Sequence, residues 1–298
     1  MTKARPQTGL KLGLISLVLV TVALVGVFLV GPAPKPRGMV FYPPLSTGLL
    51  EVLDDTRTRA AVEALQSVAP EAYGTLDVTA KYAIAKGTTD DILARLTLEA
   101  LFSQFQAQAL SLRSARSEDY QAIIAGFSGG LGQMKSNQSP WCEGTTIANF
   151  LTQNEDELVP ALLAEFPYQS PQYDWAMDWM VTVLSAMKQG QDSGQRYARP
   201  GARDEAILQQ EGLALGSEQW ALALQIAAFA NAEGTSYGQM QEVIAGMDVC
   251  ELGGAVETVS ARLPRDVRAR IWADLMPEIM VGNTPYVMYR VTDYFFIG

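Results

Sequence analysis

Residues 88–112 read TTDDILARLTLEALFSQFQAQALSL. Thr88-Thr89-Asp90-Asp91 has the composition of a helix N-terminus, with hydroxyl residues to cap the first turn and carboxylates that suit the positive end of the helix dipole. Beyond it, Ile92, Leu93, Leu96, Leu98, Leu101, Phe102, Phe105, Ala109 and Leu112 recur largely at three- and four-residue intervals. That spacing lines one face of a helix.

The same pattern recurs along the chain. Ser117-Glu118-Asp119 opens a run holding Ile123, Ile124 and Phe127. Asn154-Glu155-Asp156-Glu157 opens another, and it lacks the spacing and central glycine of an EF-hand. Ser170-Pro171 joins a cap to a proline at the first helical position, ahead of Trp175, Met177, Trp179, Met180, Val183 and Leu184. Ser217-Glu218-Gln219 precedes Trp220, Leu222, Leu224, Ile226 and Phe229. Pro264-Arg265-Asp266 precedes Val267, Ile271, Trp272 and Leu275. Glycine or proline follows most of these runs, as helix C-termini require. No series of alternating strands joined by Asn-Gly or Asp-Gly turns appears. The fold class expected is all-α, a multi-helix domain behind a single N-terminal transmembrane helix.

That span is Leu12 to Val30, LGLISLVLVTVALVGVFLV, without a charge. A helix of this length covers about 28 Å, close to the hydrocarbon thickness of a bilayer. It runs into Gly31-Pro32-Ala33-Pro34-Lys35-Pro36-Arg37, which is not the small-residue site of a cleaved signal peptide. Lys3, Arg5 and Lys11 precede the span and Lys35 and Arg37 follow it. The positive-inside bias therefore places residues 1–11 in the cytoplasm. Residues 31–45 are a proline-rich linker, and 46–298 form a domain outside the inner membrane, in the periplasm. Residues 12–30 contact the lipid bilayer.

The chain carries 22 basic and 32 acidic residues, a formal charge of −10. All five basic residues before position 39 lie in the anchor region, so the rest holds 17 basic against 32 acidic residues, or −15. Such a domain repels nucleic acid, which is excluded as a partner. There is no histidine at all. Ser-His-Asp and Cys-His catalysis, haem ligation by histidine and most zinc sites fall with it. No cofactor and no metal are expected. Cys142 and Cys250 stand alone, with no CxxC, and outside the cytoplasm they are expected to form a disulfide.

Three short motifs invite catalytic readings. Gly126-Phe127-Ser128-Gly129-Gly130 matches G-x-S-x-G but has no histidine to activate the serine, and reads as a glycine-rich loop ending a helix. Ser185-Ala186-Met187-Lys188 matches S-x-x-K, without the downstream K-T-G that such acyl-transferases need. Glu233-Gly234-Thr235-Ser236-Tyr237-Gly238-Gln239-Met240-Gln241 resembles lytic transglycosylases, helical extracytoplasmic enzymes with one catalytic glutamate and a later G-x-M-Q. Here the glutamate precedes the Gly-x-Met-Gln by five residues, much closer than that family's pattern.

Aromatic residues supply the remaining candidates. Trp175 and Trp179 lie four apart on one helix face, suited to core packing or to a partner. The tail Tyr286 to Ile297 is aromatic and β-branched and fits a strand or a helix; its Tyr289, Tyr294, Phe295 and Phe296 are candidate partner contacts. Residues 190–203, rich in glycine, glutamine and arginine, read as a surface loop. The function expected is a non-catalytic, membrane-anchored accessory or structural subunit that contacts other membrane or envelope proteins. The alternatives are a peptidoglycan-cleaving enzyme acting through Glu233, and a ligand-binding or sensor domain around Trp175 and Trp179.

Overall fold

Side-chain caps mark where several of the described helices begin. The computed structural model describes residues 48–150, 166–231 and 237–296. The 12–30 span, the 31–45 linker, the Asn154–Glu157 cap and Glu233 lie outside the described residues. The described part contains thirteen α-helices and no strand: α1 Leu49–Val52, α2 Thr56–Val68, α3 Pro70–Ala85, α4 Asp90–Gln108, α5 Ser117–Ser136, α6 Gly144–Phe150, α7 Pro171–Ser193, α8 Ala202–Ala214, α9 Glu218–Asn231, α10 Tyr237–Ala245, α11 Val249–Arg262, α12 Arg265–Met280 and α13 Thr284–Phe296. Among the described residues no helix is long and apolar enough to cross a membrane.

Asp55 accepts from the Thr58 amide at 2.8 Å to start α2, and Asp248 accepts from Glu251 at 2.8 Å to start α11. Ser170 accepts from Tyr173 at 3.1 Å, with Pro171 behind it, as its sequence suggests. At α5 the cap works differently. The Asp119 carboxylate reaches back to the Arg116 amide at 2.9 Å, and Ser117 is already helical. Gly194, with φ +58°, stops α7 in the left-handed conformation that only glycine adopts freely.

Two readings are revised or resolved by the fold. Residues 126–130 do not end a helix, because α5 runs unbroken through them to Ser136. Of the strand and the helix that the tail's residues allow, the chain forms the helix, α13, which packs along α9 and against α8 and α12.

The helices assemble around α5 and the 3-10 turn Ala109–Ser114. On one side α2 packs against α7, α3 and α4. On the other, α11 lies along α5, while α12 meets α5, α13 and the 3-10 turn. The α7 helix touches both α5 and the 3-10 turn, so these central pieces separate the two groups of helices. One continuous core runs from Leu49 to Tyr294 through Phe105, Ile123, Met180 and Met276. A smaller cluster of Ile147, Ile226, Ile244, Met247 and Met288 sits beneath α6 and α10.

Charged groups fasten α12 to α13. The Asp274 carboxylate accepts from the Tyr286 hydroxyl, the Tyr294 hydroxyl and Arg290 Nε, each at 2.8 Å. Burial alone pushes this carboxyl up, but the hydrogen bonds from Arg290, Tyr294 and Tyr286 outweigh it and hold the group below the usual aspartate range. A depressed carboxyl stabilises the fold above its unfolded value of about 3.9 and loses that contribution as pH falls through the lower folded value. Unfolding free energy should therefore drop on acidification below about pH 4. At pH 7 Asp274→Asn should lose about 2 kcal/mol, because a neutral amide replaces the carboxylate that holds the half-buried Arg290, which keeps Asp293 as its other partner. Urea unfolding at pH 7 and pH 3 checks this: the gap between wild type and Asp274→Asn should narrow at pH 3, and an unchanged gap would overturn it.

Candidate binding cleft and apolar cavity

Trp175 and Trp179 both reach from α7 to main-chain carbonyls of α5. Trp179 Nε1 donates to Ile123 O at 2.9 Å and Trp175 Nε1 to Gly126 O at 2.8 Å. Trp179 is buried, its ring edge-on to Phe105 at 5.7 Å and to Phe127 at 5.8 Å. Trp175 is half-buried beside Phe127 and Phe166. This pair is taken up by the α5–α7 interface. Tyr294 is likewise interior, at 0% exposure, and Phe295 packs edge-on against Trp220 at 5.6 Å. Tyr289 is 52% exposed. Phe296 closes α13, and its side chain lies outside the description.

The other sequence candidates also fall into place. Cys142 and Cys250 are paired, Cα to Cα 5.0 Å, at the junction of the Pro140–Cys142 turn and the first turn of α11. Ser128 of the G-x-S-x-G match is buried inside α5. Lys188 of the S-x-x-K match is bound to Asp192 at 2.7 Å. The Gly238-Gln239-Met240-Gln241 stretch lies in α10. Among the described residues no group of acidic or cysteine side chains is placed to hold a metal ion.

Two concave features among the described residues bear on binding. The first is an apolar cavity of about 140 Å³ between α5, α9, α11, α12 and α13. Phe127, Trp220, Val256, Trp272, Val291 and Phe295 are among its walls. A dry cavity of this size and character accepts a benzene-sized molecule. Trp272 Nε1 donates to Ser260 Oγ at 3.0 Å. Trp220 Nε1 is buried without a hydrogen-bond partner among the described residues, close to Gly212 and the Phe295 ring. The tryptophans of this cavity are thus Trp220 and Trp272, not the pair on α7.

The second feature is a polar cleft of about 450 Å³. Three separate stretches build it: Leu110, Arg113 and Ser114 from the 3-10 turn; Arg196, Tyr197 and Arg199 from the α7–α8 connection; Arg270, Asp274 and Tyr286 from α12 and α13. Arg113 is paired with Glu278 at 2.7 Å. Arg270 grips Asp204 with two bonds of 2.7 Å and Asp266 with one of 2.9 Å. Arg196 and Arg199 are exposed and have no carboxylate partner among the described residues. Their connection is tethered at its start by Ser193 Oγ, which donates to Ser114 O at 2.8 Å. The arginine-rich composition of 190–203 is legible in the sequence. The convergence of Arg113 and Arg270 on the same place is made by the fold alone.

Comparison with known proteins gives no match to a protein-family model, to a characterised protein or to a solved structure.

Proposed function

We propose that the chain is a membrane-anchored, non-catalytic accessory subunit whose helical domain lies outside the cytoplasm and binds other membrane or envelope proteins. The polar cleft carries this reading. It offers exposed guanidinium groups that no carboxylate of the described residues pairs, beside Leu110, which is 63% exposed. That mixture suits a protein surface, since arginine combines hydrogen bonding with apolar contact at interfaces. The uncharged stretch at 12–30 supports a single-pass anchor, and the Cys142–Cys250 pair supports an oxidising compartment.

The test is purification of the full chain from native membranes in mild detergent, with mass spectrometry of what accompanies it. Stoichiometric membrane or envelope proteins are the expected result. A chain recovered alone overturns the accessory reading. Protection of the domain from an impermeant protease in intact spheroplasts would overturn its placement outside the cytoplasm.

The apolar cavity favours a second reading, a domain that binds a small uncharged apolar ligand. Soaking with benzene or xenon and observing a rise in the unfolding midpoint supports it; no rise at saturation rules it out.

A further inference from the structure

We propose that the polar cleft docks an extended acidic segment of a partner protein, with Arg196 and Arg199 as the recognising groups. This deepens the accessory-subunit reading and rests on it. The argument begins with charge. Carboxylates hold many of the cations among the described residues, Arg57, Arg116, Lys135 and Arg290 among them. Here four guanidiniums from three stretches line one cleft.

Two of the four are committed. Glu278 neutralises Arg113, and Asp204 with Asp266 neutralises Arg270, so these arginines form walls. The carboxylate of the cleft, Asp274, is paired with Arg290 and accepts from Tyr286 and Tyr294. It is not left to neutralise the α7–α8 connection. Arg196 and Arg199 therefore keep their charge for a ligand. A guanidinium fork matches a carboxylate with two parallel hydrogen bonds.

The same surroundings choose among anions. Single carboxylates spaced along a chain can meet Arg196 and Arg199 one by one at the rim. The exposed Leu110 and the half-buried Tyr197 add apolar contact that a free oxyanion does not use. A volume of about 450 Å³ accommodates a few side chains, not a folded domain.

Calorimetry on the full-length chain in mild detergent tests the proposal. The probe is a blocked peptide alternating leucine with aspartate and glutamate; a lysine counterpart and inorganic phosphate are controls. The acidic peptide should bind, more weakly as salt rises, and the Arg196→Gln/Arg199→Gln double variant should lose about tenfold or more in affinity. Its unfolding midpoint should stay at the wild-type value, because neither arginine has an internal partner among the described residues. Absence of peptide binding, equal affinity in the double variant, or phosphate bound as tightly with the same arginine dependence would each overturn the acidic-segment proposal. Co-purification separates the two readings. Native partners retained by the double variant sink the cleft and leave the accessory reading standing, whereas no partner with the wild type sinks the accessory reading itself.

Discussion

The double variant Cys142→Ala/Cys250→Ala is expected to lose about 4 kcal/mol of unfolding free energy. The disulfide closes a loop of 108 residues. Chain entropy assigns about 4.7 kcal/mol to a loop near 100 residues, and measured values for native disulfides span about 2–5 kcal/mol. Neither cysteine is replaceable by water, since both are buried at 8% and 4% exposure. The junction they hold has other fasteners: the Gly144 amide donates to Met247 O at 2.8 Å, and Lys135 bridges Asp248 at 2.9 Å and Glu251 at 3.3 Å. Those fasteners are local, and the ion pairs are half-exposed, so they contribute little. What the covalent link removes is freedom of the unfolded chain between α5 and α11, which no folded-state contact replaces. Equilibrium urea unfolding of the variant and of reduced wild type should give the same lowered midpoint. A loss under about 1 kcal/mol would mean that the link does not restrain the denatured chain as the entropy argument requires.

How much of this was legible beforehand follows from what kind of signal each feature leaves. Helix starts write themselves locally, and Ser170-Pro171 caps α7 as its residues indicate. With two cysteines in the chain, pairing has one solution, and the fold adopts it. The glycine-rich stretch of α5 misleads because propensity counts glycine as a helix breaker, whereas Trp175 of α7 requires a residue without a side chain at Gly130. The tail's β-branched and aromatic residues have a strand preference that masks the helical spacing of Val287, Val291 and Tyr294; the helix is fastened by contact with α9 and by Asp274 across from Tyr286, Arg290 and Tyr294. Trp175 and Trp179 advertise a sticky face, but nothing in their spacing reveals that two carbonyls of α5 will receive their indole N–H groups. The arginines of the cleft are far apart in sequence. Which of them keeps a free charge depends on where Glu278, Asp204 and Asp266 end up, and only the assembled helices decide that.

Within α5, two adjacent glycines should respond to the same substitution with opposite signs. A Cβ on Gly129 meets nothing within 4 Å, and the position is exposed. Gly129→Ala should therefore stabilise the protein by about 1 kcal/mol, the difference in helix propensity. A Cβ on Gly130 would lie 1.9 Å from Trp175 Cε2 and 2.1 Å from its Nε1. The ring cannot yield in place. Moving it breaks the bond to Gly126 O at 2.8 Å and uncovers Phe127 and Phe166. Gly130→Ala should lose about 3 kcal/mol, at the upper end of overpacking costs. Trimming the obstacle restores part of that loss, so Gly130→Ala with Trp175→Leu should be more stable than the sum of the single changes indicates. Gly190 of α7 provides the contrast that identifies the mechanism. There a Cβ would sit 2.0 Å from the Ser111 carbonyl oxygen, a backbone atom of the 3-10 turn. Gly190→Ala should lose as much, and no change of a neighbouring side chain should recover it. Urea unfolding of the five variants, Trp175→Leu alone included, decides the matter: a benign Gly130→Ala would place α7 elsewhere on α5, and a Gly190→Ala loss recoverable by a side-chain change would place the 3-10 turn away from α7.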